Sequence, residues 1–99
     1  MTQEQKIQLQ LGMTECLIAE NEKTMVSLLK SMDDTLFNLR NNGTFDPRQA
    51  RLFGQISYME SYMSKISETK KTLENLGAQR RMLENLLSQD LLAKVLKKD

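Results

Sequence analysis

The chain contains no histidine among its 99 residues. Histidine is the side chain whose charge changes near neutral pH and the commonest protein ligand of transition metals, so the usual choice for a general base and for a metal site is missing. The Glu-x-x-His pairs of a di-iron bundle are excluded with it. The composition therefore predicts a protein that is not an enzyme and that holds neither a cofactor nor a metal.

A single cysteine, Cys16, excludes an internal disulfide and gives no indication of an oxidising compartment. It lies in a Cys-Leu-Ile run beside apolar positions, and we expect a buried small hydrophobic side chain rather than a reactive thiol. No apolar run approaches the roughly 18 residues that a membrane span needs, and the polar residues 2–6 do not fit a signal peptide. A cytoplasmic location is expected, with secretion by a leaderless specialised route as the alternative.

Basic and acidic residues are nearly balanced, with 14 and 13 giving a formal net charge of +1. No overall field therefore attracts nucleic acid or an acidic membrane. The basic residues of the second half occur as pairs such as Arg80-Arg81 with acidic residues between them, whereas a nucleic-acid footprint would be denser. The last segment has no Trp or Phe to anchor it on a membrane. Nucleic acid and membranes are both disfavoured as partners.

The only proline lies in residues 41–47, which separate two long helix-compatible stretches. Gly43 can adopt the left-handed backbone conformation that ends a helix. Asp46 can accept hydrogen bonds from the first amides of a new helix, and Pro47 fits its first position. The segment predicts a reversal of the chain, with a first helix at about residues 2–41, a turn at 42–46 and a second helix at about 47–97.

Apolar residues recur at heptad spacing in both stretches, as in helices that pack along a seam. In the first stretch they occupy every seventh position: Leu11, Ile18, Met25, Met32 and Leu39. In the second they follow steps of four and three: Leu52, Ile56, Met59, Met63, Ile66 and Leu73, with Lys70 at one position that should be apolar. Thr2 and Gln5 have the spacing of a capping box, so we expect the first helix to begin there. The pattern predicts an all-α fold, a single-domain antiparallel helical hairpin of the coiled-coil type.

The register of this hairpin that pairs Ile18 with Leu73 brings a charged residue into the seam beyond that pair. We therefore expect the pairing of the helices to fail around Gly77. At that point the second helix either ends, which leaves a short third helix after it, or continues with a tolerated glycine. Gly77 would also lie close to Gly12 of the first helix.

Residues beyond about 88 would overhang such a hairpin, and they are rich in apolar side chains. A second chain, a third helix or another protein is expected to cover them and complete a helical bundle. Tyr58 and Tyr62 share a helix face beside the seam, where their rings are either contact anchors for a partner or packed on a neighbouring helix with the hydroxyls in water. The candidate partner-binding residues are Tyr58, Tyr62, Leu87, Leu91, Leu92, Val95 and Leu96.

In size and in its turn at mid-chain the sequence resembles the WXG100 secreted helical hairpins, although it has no Trp-x-Gly at the turn. The Asp46-Pro47 helix start, followed by Leu52, Ile56 and Tyr58, is similar to type III secretion needle subunits, which need a shorter second helix. Both resemblances concern layout and imply a helical hairpin. No functional residue is carried over from either family.

The function expected from these features is recognition of proteins without catalysis. A small adaptor, a secretion-type chaperone or a regulator would each present helical surface in this way. A structural subunit of a filament or of a secretion apparatus is the alternative. The expected partner is another protein, a second copy of this chain, or both.

Overall fold

The fold is all-α, and two long helices pack against each other as a helical hairpin. The structure is a computed structural model that describes residues 1–41 and 50–97, with the backbone alone for residues 41, 50–53 and 55. Helix α1 spans Gln3–Asn41 and helix α2 spans Ala50–Leu96. The predicted turn at residues 42–46 and the predicted helix start at Asp46 and Pro47 lie outside the described residues.

Helix α1 begins with the predicted capping box. The Gln5 backbone N–H donates to Thr2 Oγ1 at 3.2 Å, and the Thr2 backbone N–H donates to Gln5 Oε1 at 3.0 Å. These two bonds satisfy amide donors that have no partner within the helix. The start of α1 is thus fixed by two side chains that the sequence places three residues apart.

Helix α2 is continuous through Gly77, so the short third helix predicted as one alternative is not formed. The predicted approach of Gly77 to Gly12 is also wrong. A Cβ added at either glycine would meet no heavy atom within 4 Å. Both glycines therefore weaken their helices without allowing the two backbones to come close together.

We expect Gly77→Ala to raise the free energy of unfolding by about 1 kcal/mol. Alanine loses less backbone entropy than glycine in a helix, and the added methyl group meets open space. The matched control is Ala78→Gly at the next, exposed position, which should lower stability by a similar amount. Denaturant unfolding followed by circular dichroism measures both, and a destabilising Gly77→Ala would contradict an unstrained helical glycine.

Two compact units are formed along the helices. The terminal unit consists of Met1–Asn21 and Thr72–Asp99, and the central unit consists of Glu22–Lys71. The buried hydrophobic side chains of the described chain are Ile7, Ile18 and Leu83, and all three belong to the terminal unit. The apolar seam residues that the central unit contributes are half-buried, and three of them are methionines, Met25, Met32 and Met59.

The predicted heptad positions of α1 are correct, and each of these side chains is buried or half-buried. A second set of seam residues in α1 was not predicted from the apolar repeat. These residues alternate with the predicted ones in steps of three and four, so they lie on the same face of the helix. The members of this second set are Ile7, Thr14, Asn21, Leu28 and Thr35. Three of these five side chains are polar, which is why an apolar period alone does not find them.

Helix α2 contributes a seam that differs from the predicted one at two of the positions whose side chains the structure describes; the side chain of Leu52 lies outside them. Tyr62 is half-buried where Met63 was expected, and Met63 is 57% exposed. Thr69 is buried, so Lys70 does not interrupt the seam. The side chains that line α2 at heptad spacing are Ile56, Met59, Tyr62, Ile66, Thr69, Leu73, Leu76, Arg80, Leu83, Leu87 and Asp90.

The buried threonines of the seam are satisfied within their own helices. Thr14 Oγ1 donates to the Gln10 carbonyl at 2.8 Å, and Thr69 Oγ1 donates to the Lys65 carbonyl at 2.8 Å. Thr35 makes the equivalent bond at 2.9 Å. A hydroxyl bonded to the preceding turn carries no unsatisfied donor into the seam. These positions therefore accept a polar residue type without an orphaned donor.

Pairing of the helices does not fail at Gly77, contrary to the prediction. Gln79 Nε2 donates to Thr14 Oγ1 at 3.3 Å, and Lys94 Nζ lies 2.8 Å from Glu4 Oε2. The predicted register, in which Ile18 pairs with Leu73, places residue 14 opposite Gly77. In the structure Thr14 contacts Gln79 instead, so α2 is shifted along α1. The prediction ended the pairing where the charged Arg80 would enter the seam, but in the structure Arg80 is half-buried and the α2 seam continues along Leu76, Leu83 and Leu87.

Candidate interaction surfaces

The last turns of α2 expose four of the seven predicted partner-binding residues. Leu92 is 60% exposed, and Leu91, Val95 and Leu96 are also exposed. We call these four residues the C-terminal patch. The prediction that residues beyond about 88 overhang the hairpin is wrong for Asp90, which is half-buried along the seam, and for Lys94, which contacts Glu4 of α1. The four side chains of the C-terminal patch remain uncovered.

An ion pair sits beside this patch. Lys94 Nζ lies 2.8 Å from Glu4 Oε2 and 3.5 Å from Asp90 Oδ2. The hydrogen bond to Glu4 raises the pKa of Lys94, and the negative charges of Glu4 and Asp90 act in the same direction. Asp90 Oδ2 is inaccessible to water and has no hydrogen-bond partner in the described chain, so Lys94 supplies the opposing charge.

Glu4 is in the first turn of α1 and Lys94 is in the last turn of α2. Negative charge is favourable at a helix N-terminus and positive charge at a C-terminus, because each opposes the local end of the helix dipole. The contact between them joins the two chain ends within the terminal unit. It also holds the helix that carries the C-terminal patch.

The other predicted partner-binding residues are less available. Leu87 is half-buried at a seam position, so much of its surface packs within the hairpin. Tyr58 is exposed, whereas Tyr62 is half-buried and belongs to the seam instead of lying beside it. The two tyrosines therefore do not form an exposed pair, and Tyr58 is the accessible ring.

An apolar stripe that sequence reasoning missed runs along the outer side of α1 in the terminal unit. Leu9, Met13 and Leu17 follow one another at four-residue spacing, and Met13 is 60% exposed. A shallow groove of about 530 Å³ lies along them, and Gly12 and Cys16 contribute to its lining. Cys16 is exposed, so the prediction of a buried thiol is wrong. We call Leu9, Met13 and Leu17 the outer stripe.

A second groove, of about 270 Å³, lies between α1 and α2 in the terminal unit. Met13 and Leu17 line it from α1, and Met82 and Leu83 line it from α2. Gln10, Thr14 and Gln79 complete its lining, so no charged side chain lines it. The outer stripe therefore continues into an uncharged groove between the helices.

The outer stripe could have been found from the sequence, because three large apolar residues at four-residue spacing define a helix face. The seven-residue repeat of Leu11 and Ile18 concealed it, since that repeat describes the seam alone. Gly12 lies between the two patterns. Its missing side chain opens the groove along the stripe.

No cluster suited to metal binding is found within residues 1–41 and 50–97. No group of three or more Cys, Asp or Glu side chains there could hold a metal ion. No helix in the same residues is long and apolar enough to cross a membrane. What the described surface offers is apolar area, in the C-terminal patch and in the outer stripe.

Comparison of the chain with protein-family models, with curated proteins and with solved structures finds no match.

Proposed function

We propose that the chain is a non-catalytic interaction module that binds another protein through the C-terminal patch. The observation that carries this proposal is the exposure of Leu91, Leu92, Val95 and Leu96 on consecutive turns of one helix. Contiguous apolar surface of this kind is typical of protein–protein contacts. An adaptor, a secretion-type chaperone and a regulator all work by such contacts.

The chemistry of the partner follows from the charges beside the patch. Beyond Asp90 the sequence carries three basic residues, Lys94, Lys97 and Lys98, and one acidic residue, Asp99. An amphipathic helix of another protein, with an apolar face and an acidic flank, complements this arrangement. Lys97 would face the acidic flank, because Lys94 already contacts Glu4 and Asp90.

A photo-crosslinking amino acid at position 92, introduced in the cell of origin, tests this proposal. We expect the crosslinker at position 92 to capture one protein that the same crosslinker at position 19 does not capture. Ala19 is the control position because it is exposed on α1 away from the patch. The captured protein is then purified and its affinity measured. Leu92→Asp with Val95→Asp should weaken binding by at least tenfold while helix content is retained, because both side chains are exposed.

Three outcomes would contradict the proposal. Capture of the same proteins from positions 92 and 19 would show a surface without selectivity. An unchanged affinity of the captured protein for the double variant would place its contact elsewhere. Capture of a second copy of this chain at position 92 would replace the partner of different sequence with self-association.

A structural subunit of a filament is the second candidate function. It is favoured by the presence of two separate apolar surfaces, the C-terminal patch and the outer stripe. Two different surfaces that bind each other generate open-ended polymers. An average molecular mass in sedimentation that keeps rising with protein concentration would support the filament. An average mass that reaches a plateau would support the interaction module.

A further inference from the structure

The outer stripe and its charged ends are arranged symmetrically about Met13. Leu9 and Leu17 lie four residues before and after it, and Lys6 and Glu20 lie seven residues before and after it. All five side chains are on the outer side of α1, because steps of three and four keep residues on one helix face. One end of the stripe therefore carries a positive charge and the other end a negative charge.

We propose that the outer stripe is the contact between two copies of this chain, with their α1 helices packed antiparallel across a two-fold axis at Met13. In this arrangement Leu9 of each copy meets Leu17 of the other. Lys6 of each copy meets Glu20 of the other, and the two Met13 side chains meet at the axis. A two-fold contact uses the same patch on both chains, so the patch must complement its own inverted copy, and this one does.

Gly12 supplies the space that the contact needs. A Cβ at Gly12 would meet no heavy atom within 4 Å, and the groove beside it has a volume of about 530 Å³. A methionine side chain adapts to irregular space of this kind. Met13 of the second copy can enter the groove between Leu9 and Cys16, which brings the two helices to the usual packing distance of roughly 8–10 Å.

Helix α2 extends the same contact. Met82 and Leu86 are exposed, and Met82 lines the groove between the helices together with Met13 and Leu17. The second copy of α1 would cover this uncharged groove as well as the stripe. The contact would therefore have an apolar centre bounded by one ion pair at each end, which is the usual arrangement of a specific interface.

An unrelated helix is the other occupant to consider. It would need an apolar face of the same length with a negative charge opposite Lys6 and a positive charge opposite Glu20. The α1 helix of a second copy meets all of these requirements. The assignment does not rest on the proposed function, because the outer stripe and the C-terminal patch share no residue.

Cysteine crosslinking tests the position of the axis. Met13→Cys in a Cys16→Ser background should form a crosslinked dimer under mild oxidation or with a short bismaleimide, because position 13 faces itself across the axis. The control is Ala19→Cys in the same background, which places an exposed thiol on α1 away from the stripe. Equal crosslinking of the two variants, or no crosslinking of either, would overturn the proposal.

Charge reversal tests the antiparallel pairing separately. Lys6→Glu and Glu20→Lys should each weaken dimerisation by roughly tenfold in sedimentation equilibrium, because each replaces two exposed attractive pairs by two repulsive ones. The variant with both changes should recover the wild-type affinity. Absence of recovery would overturn the antiparallel register, since effects confined to single residues do not cancel in this way.

Met13→Asp separates this inference from the proposed function. It should leave helix content unchanged and make the chain monomeric, while capture through position 92 persists. A dimer that survives Met13→Asp would overturn the two-fold contact and leave the C-terminal patch untouched. Loss of selective capture at position 92 while the dimer stays intact would overturn the proposed function of the C-terminal patch and leave the two-fold contact untouched.

Discussion

Leu83→Ala is expected to lower the free energy of unfolding by about 3 kcal/mol. Leu83 is 4% exposed and is one of three buried hydrophobic side chains in the described chain. Truncation of a buried leucine removes its transfer free energy and leaves a cavity that neighbouring atoms fill only in part. Chemical unfolding of the variant and of the wild type at the same chain concentration measures the difference.

The matched control is Leu92→Ala, the same truncation on the same helix at a position that is 60% exposed. We expect its free energy of unfolding to change by no more than about 0.5 kcal/mol, because substitution of an exposed side chain outside the packed core has little effect on stability. Equal losses for the two variants would mean that the seam of the terminal unit does not contain Leu83. A loss at position 92 alone would place the core of this unit in the C-terminal patch.

Thr14→Asp is expected to destabilise the chain by a similar amount, about 3 kcal/mol at neutral pH. Thr14 is 2% exposed, and its hydroxyl is bonded to the Gln10 carbonyl and to Gln79. A carboxylate at this position would be desolvated, and the two hydrogen-bond partners of Thr14, the Gln10 carbonyl and the Gln79 amide, carry no charge to offset it. The control is Ala19→Asp, which introduces the same group at an exposed position of α1.

The pH dependence gives the cause of this loss. Burial raises the pKa of the introduced carboxyl group above its unfolded value of about 3.9. The folded state then binds more protons than the unfolded state between the two pKa values, so stability relative to wild type falls as pH rises through that window. Below about pH 3.5 most of the penalty should disappear. A deficit that is independent of pH would indicate a steric cause instead.

The sequence was sufficient for the helices and for the start of the first one. The capping box of Thr2 and Gln5 and the seven-residue repeat of α1 depend on local chemistry, and local chemistry is visible in a single chain. The direction of pairing also followed, because a hairpin of two amphipathic helices has to be antiparallel. The sequence does not decide whether α2 ends at Gly77 or continues through it. One glycine lowers helix stability by only about 1 kcal/mol, so packing decides the outcome.

The details of the seam in α2 could not be taken from apolarity alone. Tyr62 and Met63 are both compatible with a seam, and Met63 is the more apolar of the two. Continuation of the heptad beyond Leu73 would have distinguished them, because Tyr62 leads to Leu76 and Leu83, whereas Met63 leads to Gly77. The buried threonines add to the difficulty, since a hydroxyl bonded to its own helix can occupy a seam that a pattern of apolar residues leaves blank.

The error in register had consequences for the predicted surfaces. The predicted register, which pairs Ile18 with Leu73, uses up α1 too early and leaves the residues beyond about 88 as an overhang. The structure divides that segment, with Leu87 and Asp90 on the seam side and Leu92 and Val95 uncovered. The predicted burial of Cys16 rested on its apolar neighbours Leu17 and Ile18, but Ile18 alone of the three side chains is buried.

The ionic contact between Glu4 and Lys94 brings the first turn of α1 and the last turn of α2 to one place. A donor and an acceptor dye attached at the two termini would therefore report separation of the helices by energy transfer.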